Sequence, residues 1–186
     1  MMVRRFNSGF RNSLVATAIV LGMTSGAFAA LKPGDAAPDF TTTAALAGKT
    51  SSFDMKAALK KGPVVLYFFP KAFTQGCTLE AHAFAEASPE FNKMGATVYG
   101  ISRDDIDTLK KFSTEACRDQ FAVLSDADGK TVRAYDAGHA TRTDMANRIS
   151  YVIDKEGKVV FAHQGSDPLE HVQQTMDAVK KLSAVA

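Results

Sequence analysis

The stretch Val64-Val65-Leu66-Tyr67-Phe68-Phe69-Pro70-Lys71-Ala72-Phe73-Thr74-Gln75-Gly76-Cys77 decides the fold. Its first six residues are apolar without interruption, the pattern of a central strand buried on both faces. Gly62-Pro63 closes what comes before it and Pro70 ends it. A helix then starts near Cys77 and continues past Phe84, with Pro89 as a candidate break.

Working outward, Lys32-Pro33-Gly34-Asp35 and Pro38 open an irregular arm, and Asp54 caps a short helix that reaches Lys61. Downstream, Thr97 to Ser102 reads as a strand. Asp104 to Cys117 reads as a helix with Ile106, Leu109, Phe112 and Ala116 on one face. Phe121 to Leu124 is a short strand, followed by a turn at Asp126-Ala127-Asp128-Gly129. Ile149 to Asp154 and Lys158 to His163 form a hairpin around Glu156-Gly157, and Asp167-Pro168 starts the last helix. Strands that alternate with helices imply an α/β fold, and the closing hairpin makes its sheet mixed, with helices on both faces. A strand, a loop and a cysteine that opens a helix form the thioredoxin-like arrangement.

The composition of the 186 residues, 46% hydrophobic and 23% charged, excludes collagen-like, low-complexity and disordered classes. Two cysteines cannot build a disulfide-dense scaffold or a four-cysteine metal site. The net charge of +2 does not point to nucleic acid. It also belongs to the leader. Arg4, Arg5 and Arg11, the apolar run Leu14 to Met23, and Ala27-Phe28-Ala29 read as a signal peptide over residues 1–29, cut after Ala29. The apolar run is too short to span a bilayer comfortably. The leader holds three of the 22 basic residues and none of the 20 acidic ones, so the remaining chain, 30–186, is one domain with net charge −1. The expected destination is the bacterial periplasm, with no membrane attachment after cleavage. The pattern does not choose between the general secretory and twin-arginine routes.

The chemistry centres on Cys77. Free N–H groups and the positive dipole end of a helix favour an anion at its first turn, and the thiolate is the nucleophilic form of cysteine. Thr74 can set a hydroxyl beside the sulfur, Gly76 permits close approach, and Pro70 shapes the loop and shields the sulfur from water. The competing reading is a buried structural cysteine. The four histidines, His82, His139, His163 and His171, show no metal-binding spacing, so no metal and no cofactor are expected.

Pro70-x-x-x-Thr74-x-x-Cys77 resembles the active-site signature of the peroxiredoxins. The run YFFPKAFTQGCTLEA resembles the Q-type branch, the bacterioferritin comigratory proteins. The resemblance extends from Gly34-Asp35-x-x-Pro38-x-Phe40, through Leu124-Ser125-Asp126, to Arg148-Ile149-Ser150-Tyr151-Val152-Ile153-Asp154. It implies a thiol-dependent peroxidase of thioredoxin-like fold. Cys77 would attack a hydroperoxide and become a sulfenic acid, and a thioredoxin-like or other thiol would reduce it. Pro70, Thr74 and Arg148 match the family's other active-site positions. A guanidinium from Arg148 would stabilise the thiolate and donate to the peroxide oxygens; on spacing alone it reads as a surface ion pair. Glu80, one turn after Cys77, either orients Arg148 or faces solvent. Q-type relatives are often monomers, and a monomer is expected here.

The sequence departs from the family at His82, where many Q-type members carry a resolving cysteine. Cys117 is the only other thiol, and three readings of it stay open. It resolves the sulfenic acid after local unwinding. It packs the core, lying about 20° from Ile106 at ~100° per residue. Or it forms a permanent disulfide with Cys77. The alternative function is a periplasmic thiol-disulfide oxidoreductase, but Thr74 stands where that chemistry needs the first cysteine of C-x-x-C.

Overall fold

The computed structural model describes residues 30–184, so the leader expected over residues 1–29 lies outside the described residues. The elements in chain order are β1 (Thr41–Leu46), β2 (Lys49–Asp54), α1 (Met55–Leu59), β3 (Val64–Phe68) and α2 (Gln75–Lys93). They continue with β4 (Thr97–Ser102), α3 (Ile106–Glu115), β5 (Ala122–Ser125), α4 (Lys130–Ala134), β6 (Ile149–Ile153), β7 (Val159–Gln164) and α5 (Pro168–Ser183). The strands form one mixed sheet in the order β2-β1-β5-β4-β3-β6-β7.

β3 sits inside that sheet, parallel to β4 and antiparallel to β6, with all five residues buried. Its uninterrupted apolar run divides by alternation, as a strand must. Val65 and Tyr67 join the apolar cluster under α2, α3 and α5, with Phe84, Phe91, Leu109, Phe112 and Val179. Val64, Leu66 and Phe68 join the opposite cluster, under α1 and α4, with Met55, Leu59, Val132 and Tyr151. Helices therefore cover both faces, as expected.

Local signals hold where they are strong. Asp54 accepts from the Ala57 N–H at the start of α1, and Asp167 accepts from the Leu169 N–H ahead of Pro168. α2 does not break at Pro89. Phe84 and Phe91, on either side of that proline, are both fully buried, and their packing holds the helix through it.

Two features have no counterpart in the sequence reading. β1 and β2 form a hairpin that closes through Ala47 and Gly48, both left-handed, in segments too rich in Thr and Ser to show an apolar pattern. α4 is one short turn of helix, and Asp126 accepts from its Thr131 and Val132 N–H groups.

Cys117 is a correction. The helix expected to carry it starts later and ends sooner: Asp105 is its N-cap, and α3 stops at Glu115. Cys117 follows the helix, its N–H donating to the Phe112 carbonyl, and the next residues, Arg118 and Asp119, are both left-handed.

Candidate active site

Thr74 is the N-cap of α2, which makes Cys77 the third helical residue, in the turn whose N–H groups lack intrahelical acceptors. Cys77 is 1% exposed. The loop from β3 to α2 is tied down by Asp104, a buried carboxylate that accepts from the Ala72 N–H at 2.8 Å and the Ser102 hydroxyl at 2.9 Å. Lys71 reaches the other oxygen at 3.4 Å. Phe73, left-handed and 45% exposed, sets its ring edge-on to Phe112. The sequence reading placed Asp104 at the helix start and missed that it holds this loop. Its only local signal was the adjacent Asp105, which takes the capping role instead.

Arg148 immediately precedes β6, and the backbone before it is pinned. The Asn147 N–H donates to the Ala137 carbonyl and its side-chain amide to the Gly138 carbonyl, each at 2.8 Å. From there Arg148 Nη2 donates to Cys77 Sγ at 3.5 Å, and Nη1 donates to Glu80 Oε2. Glu80 is fully buried. Of the two readings of Glu80, the structure places it behind the guanidinium and not in solvent. Burial pushes its carboxyl above the ordinary range, against the pull of the Arg148 charge and hydrogen bond. A Cβ at Gly76 would lie 3.1 Å from Arg148 Nη2, so the close approach that glycine permits here is that of the guanidinium.

Thr74 is where expectation and structure part. Its hydroxyl donates to the Lys71 carbonyl at 3.0 Å and not to the sulfur, because the N-cap backbone turns the side chain back along the loop. Pro70 lines an open cleft of ≈ 630 Å³ together with Arg148, Asn147, Arg142, Gln164 and Ser166. A larger cleft of ≈ 820 Å³ beside β1 and α4 contains no thiol or imidazole.

Cys117 belongs to the same apolar cluster as Cys77 and is fully buried. Burial, with Asp119 nearby, pushes its thiol far up. Both cysteines are free, so the permanent disulfide does not describe this structure. The structure brings together Cys77, Arg148 and Glu80, sets Pro70 at the cleft, and leaves the Thr74 hydroxyl turned away.

The AhpC/TSA family pattern matches residues 33–162. "Peroxiredoxin Q, chloroplastic" of Populus jackii is 35% identical over 156 residues, covering 83% of this chain and 71% of that protein. The protein of the same name from Triticum aestivum is 33% identical over 173 residues, covering 92% and 74%. Among solved structures, the peroxidoxin BcpB of Mycobacterium tuberculosis superposes with a TM-score of 0.74 at 28% identity, covering 82% of this chain and 98% of that one. The peroxiredoxin Q of Xanthomonas campestris gives 0.67 at 28% identity, covering 76% and 90%. The chain belongs to the AhpC/TSA family and is kin to the peroxiredoxin Q proteins within it, a family of thiol-dependent peroxidases of thioredoxin-like fold.

Proposed function

We propose that Cys77 is the peroxidatic thiol and that Arg148 and Glu80 equip it for attack on hydrogen peroxide or an organic hydroperoxide. The observation that carries this reading is the guanidinium held between the Cys77 sulfur and the buried Glu80 carboxyl. The sulfur, as thiolate, bonds to one peroxide oxygen. The O–O bond breaks, and the other oxygen leaves with the electron pair and takes up a proton as water or an alcohol. Arg148 already points a donor at the place where that negative charge develops. The cleft lined by Pro70 and Arg148 is the approach. Pro70 shapes that approach, and Thr74 contributes the N-cap and a hydroxyl that turns to the oxidant once peroxide is bound.

Cys117 is the resolving thiol in this reading. It sits just past the end of α3, so opening the last turn and the left-handed pair Arg118-Asp119 frees it. Its raised thiol makes it a poor nucleophile until that opening. It then attacks the sulfenic acid, water leaves, and a disulfide joins Cys77 to Cys117. A thioredoxin-like or other thiol reductant returns both to thiols.

The leader motif supports export to the periplasm. Among the described residues no helix is long and apolar enough to cross a membrane. The exposed large apolar side chains, Leu46, Phe73, Leu79 and Leu169, are scattered over different segments, which supports a monomer.

Peroxide consumption by the Cys77→Ser variant tests the centre of the reading. Loss of turnover is expected, and unchanged turnover overturns it. One equivalent of peroxide followed by disulfide mapping tests the cycle. A reducible Cys77–Cys117 link supports resolution by Cys117, and a persistent Cys77 sulfenic acid assigns that step to an external thiol.

A further inference from the structure

Behind Glu80 lies a second buried polar group that the chemistry above does not use. His171, in the first turn of α5, is fully buried. Its Nε2 is 3.1 Å from the Gly165 carbonyl oxygen, which can only accept, so Nε2 carries a proton. Its Nδ1 is 2.8 Å from Ser150 Oγ, and in the neutral ring the Ser150 hydroxyl donates to it. Glu80 Oε1 lies 4.0 Å from the same Nδ1 and has no hydrogen-bond partner among the described residues. The neutral imidazole therefore offers Glu80 no donor, and the carboxyl is left to Arg148.

We propose that His171 is a positioning residue of the peroxidatic site: as a neutral, Nε2-protonated ring it occupies the Ser150 hydroxyl and leaves Glu80 committed to Arg148. Nδ1 stands 4.0 Å from Oε1, about 1 Å beyond a good hydrogen bond, so a competing donor on this side would have to move the carboxyl to engage it. Displacements of about that size at a reacting centre cost rate steeply.

The surroundings keep the ring neutral. Burial lowers its pKa most, the Gly165 hydrogen bond raises it, His163 and Arg148 lower it, and Asp167 raises it, for a value of about 4. Glu80 faces the ring from α2, Arg148 from the approach to β6, and His163 from β7, its ring centroid 4.5 Å away. Glu170 lies 3.7 Å from His163 Nε2.

The inference rests on Cys77 being the attacking thiol, and a Cys77→Ser control separates the two: a retained rate there sinks the site reading itself. The experiment measures the rate constant of Cys77 oxidation by hydrogen peroxide at pH 7. His171→Asn, whose amide oxygen can accept from Ser150 without titrating, should stay within about threefold of wild type at pH 7. His171→Leu frees the hydroxyl and should slow the reaction about tenfold or more. Nitrogen NMR of histidine-labelled wild type should show the Nε2–H tautomer. Identical rates in wild type and both variants would overturn the proposal, as would an Nδ1–H tautomer. The NMR result decides alone if the variants do not fold.

Discussion

Arg148 Nη2 lies 3.5 Å from the Cys77 sulfur although 71 positions separate them in the chain. The same guanidinium is held from behind by a carboxyl that never meets solvent, so it is aimed before any peroxide arrives. Pre-aimed donors avoid reorganisation at the moment of reaction.

Replacing Arg148 by Ala should slow Cys77 oxidation about a hundredfold or more, the cost of a lost donor of about 3 kcal/mol. Arg148→Lys should restore little, because an ammonium cannot bridge sulfur and carboxyl as the planar fork does. Stopped-flow peroxide kinetics measure both, and a loss below threefold in Arg148→Ala would contradict the assigned role.

Gly76→Ala separates activity from stability. Alanine favours a helix by about 1 kcal/mol over glycine, yet its Cβ would crowd Arg148 Nη2 at 3.1 Å. The melting temperature should hold or rise while the oxidation rate falls about tenfold. Equal rates would mean that the guanidinium has room to spare.

Asp104→Ala should leave the Ala72 N–H buried without its acceptor. The expected loss is about 1–3 kcal/mol in urea unfolding, with a slower Cys77 as the loop loosens. Asp104→Asn, which keeps an acceptor, should recover part of both.

Acid should weaken the fold through His171. Its folded pKa of about 4 lies below the unfolded 6.5, so the unfolded chain binds more protons between the two. Stability is then lost as pH falls from 6.5 through 4, by on the order of 3 kcal/mol. Glu80, raised by burial, acts in the opposite sense and costs stability as pH rises above the ordinary carboxyl range. Comparing wild type with His171→Asn isolates the histidine: wild type should lose ground to the variant on acidification. Parallel stability-against-pH curves would count against a buried neutral ring.

Elements with strong local chemistry were legible in the chain: the apolar β3, the β6–β7 hairpin, and α5 behind Asp167-Pro168. The β1–β2 hairpin was not, because its register comes from pairing with β5 and from an Ala47-Gly48 turn without an apolar signature. The end of α3 was misread because Cys117 continues the apolar stripe beyond the point where the backbone leaves the helix.

Sequence by itself determined that a cysteine opens a helix after a fully buried strand, and it named the arginine that resembles its partner. Tertiary structure decided the rest: that Glu80 faces inward, that the Thr74 hydroxyl turns away from the sulfur, that Asp104 holds the loop, and that His171 stands behind the carboxyl. Periodicity and capping act over a few residues and can be read along the chain. The direction of a side chain at an element's end, and the burial of a charge, depend on what distant segments pack against it.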